Sequence, residues 1–165
     1  MLNIYAFPAV LDIYEELYDE YEDLTMEGTL AFERGDFKPW PEKINTHGKW
    51  QTLGTKWQGE SLPANLPMLN RLTRKYDRLL VNAGYSILEP GAVIAPHRGY
   101  SNEVLRFHFG LLVPRGDCQL KIGQAHFRWT PRGALLFDDT EEHEAWNYTK
   151  YERLIILLDL NTDYL

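Results

Sequence analysis

Residues 84–108 read Gly84-Tyr85-Ser86-Ile87-Leu88-Glu89-Pro90-Gly91-Ala92-Val93-Ile94-Ala95-Pro96-His97-Arg98-Gly99-Tyr100-Ser101-Asn102-Glu103-Val104-Leu105-Arg106-Phe107-His108. An apolar run from Leu79 to Leu88 ends at the turn Glu89-Pro90-Gly91, and a second ends at Pro96-His97. A third opens at Val104; as a strand it places Arg106 and His108 on one face, because side chains alternate with a period of two. The same grammar continues outward. Cys118–Ile122 and His126–Trp129 flank Gly123-Gln124-Ala125 as a hairpin. Ala134–Phe137 follows Pro131-Arg132-Gly133, and Arg153–Leu160 reads as a buried strand. Short strands at near-regular spacing with Gly/Pro turns predict a mainly β fold, a sandwich or barrel.

Upstream the period changes. Val10, Ile13, Tyr14, Leu17, Tyr18, Tyr21 and Leu24 recur at three- and four-residue steps, which predicts an amphipathic helix over residues 9–24. Glu15, Glu16, Asp19, Glu20, Glu22 and Asp23 fill its other faces as a solvated acidic surface. A second helix is expected after Asn65, with Asn65 as its cap and Pro67 in its first turn. Its basic run Arg71, Arg74, Lys75 and Arg78 faces solvent. Residues 25–62 lack clear periodicity and carry Phe37, Trp40, Trp50 and Trp57 around Lys38-Pro39-Trp40-Pro41. Such a segment packs over a scaffold or lines a site, and Trp50 and Trp57 are candidates either for a substrate cleft or for core. The expected organisation is one domain over residues 1–165, with 1–78 as helical and irregular support and 79–165 as β core.

With 165 residues and 44% hydrophobic content the chain can bury a real core. A formal net charge of −7 argues against a general nucleic-acid binder, which needs phosphate-neutralising Lys and Arg. The lone Cys118 rules out an internal disulfide and suits the cytoplasm. The first residues lack a basic segment followed by an apolar run, and no apolar stretch approaches the roughly 20 residues of a membrane-spanning helix.

The chemistry gathers at a few positions. His97 ends a strand-like run, and His143 lies in a polar turn within Phe137-Asp138-Asp139-Thr140-Glu141-Glu142-His143-Glu144-Ala145-Trp146. Strand ends of a β-barrel converge at its mouth, so the two histidines are candidate ligands of one metal ion; separate local hydrogen bonds are the commoner role of such histidines. A common iron site adds a carboxylate two residues after the first histidine, where this chain has Gly99; Asp138 or Asp139 could substitute or orient a ligand. Arg153 opens an otherwise apolar run, and a buried arginine needs an anion. That anion is either a small-molecule carboxylate or a protein partner such as Glu103 or Asp159. Trp146 and Phe107 are candidate apolar walls, though core packing is the simpler role, and His47 and His126 are assigned to surface or packing.

Five elements in order resemble the aspartyl/asparaginyl β-hydroxylase family: Tyr85-Ser86-Ile87 with Pro90-Gly91, Pro96-His97-Arg98-Gly99, Leu105-Arg106-Phe107-His108-Phe109-Gly110-Leu111, Phe137–Trp146, and Arg153-Leu154-Ile155. Gly48-Lys49-Trp50 and Trp57-Gln58-Gly59 resemble it more loosely. The resemblance implies a double-stranded β-helix (jelly-roll or cupin-like) and an Fe(II)- and 2-oxoglutarate-dependent dioxygenase using O₂. It implies His97 and His143 as catalytic iron ligands, and Arg153 with Ser86 on the distal carboxylate of 2-oxoglutarate. Arg106 and His108 would lie near the cosubstrate's metal-binding end or the substrate carboxylate. Gly99 agrees with the family, whose members carry glycine there. The implied reaction is hydroxylation of an unactivated carbon, foremost the β-carbon of an Asp- or Asn-type residue or amino acid. A peptide, a free amino acid or an acyl chain are all candidate substrates, held by Arg98, Trp50, Trp57 and the 98–103 loop.

Two departures accompany the resemblance. The chain shows no membrane anchor or long lumenal region like those of the animal enzymes. It also carries Glu60 and Ser61 where those enzymes have basic residues, which puts their protein-substrate specificity in doubt for this chain. Two alternatives stand beside the hydroxylase: a halogenase with chloride at the open metal position left by Gly99, and a non-catalytic cupin-like binding protein.

Overall fold

The computed structural model describes residues 1–40, 44, 46–99 and 101–165. Pro41 of the tryptophan-proline stretch and Tyr100 of the 98–103 loop lie outside the described residues. Twelve strands are described: β1 Lys38–Pro39, β2 Thr46–His47, β3 Trp50–Trp57, β4 Glu60–Ser61, β5 Leu80–Leu88, β6 Val93–His97, β7 Val104–Leu112, β8 Cys118–Ile122, β9 Ala125–Phe127, β10 Ala134–Asp138, β11 His143–Asn147 and β12 Arg153–Asn161. The helices are α1 Pro8–Asp19, α2 Tyr21–Glu33 and α3 Pro67–Lys75.

A large sheet runs β1-β3-β5-β12-β7-β10, with β4 on β3, and a small sheet runs β2-β6-β11-β8-β9. This is the jelly-roll, double-stranded β-helix architecture, with the helices packed on the large sheet. Alternation sorts the side chains of β12. Leu154, Ile156 and Leu158 join α1, α2 and α3 in one core that includes Val10, Leu17, Leu69 and Tyr85. Ile155 belongs to a second core between the sheets, with Trp50, Leu88, Ile94, Leu120 and Ala145. Both faces of β12 are covered, so it reads as a continuous apolar run. Polar residues on the inward face are therefore held in a dry slot between two sheets.

Several expectations are corrected. The helix over 9–24 is two helices meeting at Glu20, and α2 continues through residues read as irregular. Its pattern is interrupted by Gly28, where a Cβ would press on the Tyr85 ring at 3.0 Å; close approach to the sheet, not periodicity, sets that stretch. Residues 38–61 supply β1–β4, so β structure begins well before residue 79. Asn65 does not cap α3. The Glu27 carboxylate does so from α2, accepting from Met68 N at 2.8 Å and Leu69 N at 3.1 Å, which places an anion at a helix N-terminus. Arg71 and Lys75 pair with Glu20 and Glu16, joining the acidic face of α1 to the basic face of α3. The hairpin turn is Gly123-Gln124 alone, since Ile122 and Ala125 already pair. His143 is not in a turn but opens β11. Phe107 packs in the helix-side core, while Trp146 is half-buried and donates to Asp117 at 2.8 Å. His47 and His126 are exposed.

Candidate active site

Strand register assembles the site. His143 is the direct partner of His97 across β11 and β6. Their rings lie 4.2 Å apart, centroid to centroid. The Nδ1 atoms face backbone carbonyls, Ala95 O at 2.9 Å and Glu141 O at 2.7 Å. A carbonyl only accepts, so each Nδ1 carries the hydrogen and each Nε2 keeps its lone pair, the tautomer a metal ligand needs. Burial, and next the neighbouring His97, push the His143 pKa down to about 4, so its imidazole is neutral at neutral pH.

His143 Nε2 stands 3.3 Å from Asp139 Oδ1. A neutral imidazole with a bare Nε2 facing a carboxylate oxygen is repulsive, and a cation beside both atoms relieves it. The donor set fits a metal in this sense. Among the described residues no cluster of three His, Cys, Asp or Glu side chains is arranged to ligate one. Gly99 is closed to any side chain: a Cβ there would overlap the Asp139 carboxylate, and Gly99 N donates to Asp139 O at 2.7 Å. The space a side chain at position 99 would take is thus filled by the Asp139 carboxylate.

Asp139 is held by Arg106, whose Nη1 lies 2.7 Å away. Arg106 also forks onto Asp159, Nε to Oδ1 at 2.8 Å and Nη2 to Oδ2 at 3.1 Å. These two are direct cross-strand partners on β7 and β12. Asn82 donates to Asp159 Oδ2 at 2.7 Å.

Arg153 has a different environment. Its side chain is 2% exposed. Nη2 donates to Ser86 Oγ at 3.0 Å, and the guanidinium lies 4.4 Å from the centre of the Trp129 ring. Desolvation lowers its pKa to about 10, so it stays charged at neutral pH. Among the described residues no carboxylate forms an ion pair with it, and Nε has no hydrogen-bond partner. Asp159, expected as one possible partner, serves Arg106, and Glu103 is exposed.

His108 adds a second unanswered donor. Trp129 Nε1 donates to its Nδ1 at 3.2 Å. Indole N–H only donates, so Nδ1 accepts and the hydrogen of the neutral ring sits on Nε2. Burial, with Arg153 and Arg106 nearby, pushes the His108 pKa well down. Nε2 is buried without a partner among the described residues. Ser86 Oγ accepts from Trp50 Nε1 and from Arg153, which leaves its own hydrogen to give. Three donors therefore meet in one closed pocket behind the histidines, with about 30 Å³ of free space and Trp50, Trp129 and Phe137 among its walls. In front lies an open pocket of about 250 Å³ bounded by Trp40, Trp57, Arg98, Gly99 and Asp139. His97 and Arg106 border both.

The model of the family described as Aspartyl/Asparaginyl beta-hydroxylase matches residues 14–162. This chain belongs to the aspartyl/asparaginyl β-hydroxylase family. It is 34% identical over 120 residues to an "Ornithine lipid ester-linked acyl 2-hydroxylase" of Rhizobium tropici, a match covering 70% of this chain and 43% of that protein. It is 31% identical over 135 residues to the "Aspartyl/asparaginyl beta-hydroxylase" of Homo sapiens, covering 77% of this chain and 18% of that one. The chain thus spans less than half of these relatives. A Pseudomonas putida prolyl-4-hydroxylase structure superposes with a TM-score of 0.63 at 15% identity, covering 87% of this chain and 86% of that one, which shows the fold. No helix of the described residues is long and apolar enough to cross a membrane.

Of the residues singled out in sequence, Ser86, Arg153 and His108 meet in the closed pocket, while Arg98 and Trp57 border the open one. Trp50 is 7% exposed, stacks on Trp40 at 4.5 Å and lines the closed pocket. Trp129 was not singled out in sequence, and Asp159 was read only as a possible partner of Arg153. Trp129 follows a hairpin strand and looks like core until Arg153 is seen against its ring. Asp159 lies in an apolar run, and an acid buried there is itself a signal that a cation faces it.

Proposed function

We propose that this chain is an Fe(II)- and 2-oxoglutarate-dependent hydroxylase that acts on a methylene next to a carbonyl group. The observation that carries the cosubstrate is the closed pocket: a buried guanidinium with no carboxylate partner and an unanswered Nε, an imidazole Nε2–H without a partner among the described residues, and the Ser86 hydroxyl, which accepts from Arg153 and keeps its own hydrogen to give. A small dicarboxylate answers that demand. When bound, Fe(II) with 2-oxoglutarate and O₂ supplies oxidation of a C–H bond, with release of succinate and CO₂.

The residues around that chemistry have separable tasks. His97 and His143 hold the metal through Nε2. Arg153 and Ser86 take the distal carboxylate of the cosubstrate, and His108 Nε2–H donates to another of its oxygens. Arg106 is occupied by Asp139 and Asp159, so its task is to position the Asp139 carboxylate beside the metal. Trp50, Trp129 and Phe137 exclude water. Arg98 borders the mouth, donates to Thr140 O at 3.1 Å and faces Glu142 at 3.9 Å; its remaining N–H groups would meet a carbonyl or carboxylate of the substrate.

The names of the two relatives support the substrate chemistry. The β-carbon of Asp is a methylene next to its side-chain carboxyl, and the 2-position of an ester-linked acyl group is a methylene next to its carbonyl. Both are the same reacting unit. Asp139 argues against the halogenase alternative, because chloride in the space at Gly99 would meet a fixed carboxylate. The test is succinate release from 2-oxoglutarate with Fe(II) and O₂, with product mass measured with and without chloride. Hydroxylated product, dependent on both histidines and indifferent to chloride, is expected; full turnover by His97→Ala with His143→Ala overturns the assignment.

A further inference from the structure

The open pocket in front of the histidines does not stop at Trp40 and Trp57. Those two residues and Asn82 are also walls of a groove of about 500 Å³, a size that accommodates a drug-sized ligand. Its floor includes Gly54 and Gly84, which face each other across β3 and β5. A Cβ at Gly84 would come within 3.0 Å of the Gly54 and Leu53 backbone, so position 84 carries no side chain, and Leu62 Cδ1 lies 3.1 Å from where a Cβ at Gly54 would stand. Leu62, Pro63 and Leu157 complete a mainly apolar lining.

Apart from Lys38 at the exposed rim and Thr52, the charged and amide groups along this groove are already committed. Lys56 Nζ donates to Asp77 O at 2.6 Å and to Asp77 Oδ1 at 2.7 Å. Asn82 donates to Asp159 and accepts from Gln58 N at 2.7 Å. Asp36 pairs with Arg34 at 2.8 Å. The floor strands pair on both sides within the sheet, β3 with β5 and β5 with β12. A peptide laid along this floor would bury amide groups without partners among the described residues, at a cost of a few kcal/mol each. An alkyl chain carries no such demand and gains from the apolar walls.

We propose that the groove holds the alkyl chain of the substrate. The substrate is then an acyl amphiphile whose carbonyl end reaches the histidine pair and whose tail runs along Trp40 and Trp57 into the groove. This rests on the hydroxylase reading above. In the reaction the C–H bond next to the carbonyl becomes C–OH. One oxygen atom of O₂ enters that product and the other enters succinate, as 2-oxoglutarate loses CO₂.

Calorimetric titration of the full chain with free alkanoic acids and with the matching N-acyl glycines, from butanoyl to tetradecanoyl, tests the groove and separates a free acid from a linked acyl group. Affinity should rise about fourfold per added methylene, as its burial predicts, until the groove is full. Leu62→Trp and Gly54→Leu narrow the groove and should weaken the long chains at least tenfold; if Gly54→Leu fails to fold, Leu62→Trp, at a partly exposed position, decides. Affinity independent of chain length, or variants that bind long chains as the parent does, overturns the proposal. Succinate release distinguishes the two layers. Chain-length-dependent binding without acyl-stimulated succinate release sinks the hydroxylase reading and leaves the groove. Turnover on an Asp-containing peptide, with no chain binding, sinks the groove and leaves the hydroxylase.

Discussion

Arg106 and Arg153 sit on the inward face of the same large sheet, at 8% and 2% exposure, and their surroundings are opposite. Arg106 meets two buried carboxylates, Asp139 and Asp159. Arg153 meets a hydroxyl and the face of an indole. A buried charge with no countercharge is among the costliest features a fold can carry, so the first arginine reads as structure and the second as a seat for a ligand. Composition and burial alone would have treated them alike.

The contrast can be broken most directly by removing each charge. Arg106→Leu leaves two buried carboxylates uncompensated and should cost about 3–5 kcal/mol of stability in urea unfolding. Arg153→Leu removes a charge that has no countercharge among the described residues, and in the ligand-free protein should fall within ~1 kcal/mol of the parent or be more stable. Equal losses in the two variants would end the comparison. The ranking reverses for ligand. Arg153→Leu should weaken 2-oxoglutarate by about 2–5 kcal/mol in calorimetric titration while leaving metal affinity near that of the parent. Unchanged cosubstrate affinity would remove Arg153 from that role.

Two smaller effects sharpen the picture on the Arg106 side. Gly99→Ala forces a Cβ into the Asp139 carboxylate and should destabilise by about 1–3 kcal/mol, the usual range for overpacking; thermal unfolding measures it, and a neutral result would mean the carboxylate is free to leave. The histidines provide a pH dependence whose sign is set by burial. His143 titrates at about 4 when folded and near 6.5 when unfolded, so the unfolded state binds more protons between those values. Stability is complete above about pH 6.5 and is lost as pH falls toward 4. At about pH 5.5 the His143 contribution to that loss is roughly 1 kcal/mol, and His108, also pushed down, adds in the same direction. Urea midpoints of the metal-free protein at about pH 7.5 and 5.5, compared with His143→Gln, should show the loss shrink in the variant.

Much of the framework was legible in residues alone. Strand-type residues, partial alternation and Gly/Pro turns placed β5, β7, β8, β9, β10 and β12 within one or two residues and the end of β6 at His97, whereas β11 was read as a polar turn. The order of Ser86, His97, Arg106, His108, His143 and Arg153 pointed to a family because few folds need those types in that sequence. The failures are equally physical. The part of α2 from residue 25 on was read as irregular because its pattern is cut by Gly28, where the helix approaches Tyr85 too closely for a Cβ. Asn65 was taken as the cap of α3 because it is the right type nearby, whereas Glu27 reaches in from a neighbouring helix. The acidic and basic helix faces were read as solvated because nothing local reveals that they oppose one another.

The sequence by itself determined the strand pattern, the residue types available for chemistry and the family they belong to, since these follow from local periodicity and from motifs contiguous in the chain. Only the tertiary structure decided which arginine is answered by protein carboxylates, that Asp139 fills the space beside Gly99, that Trp129 lies under Arg153, and that paired glycines leave an apolar groove beyond Trp40 and Trp57. Those facts depend on register between strands distant in the chain, and a one-residue change of register would turn every one of these side chains to the other face.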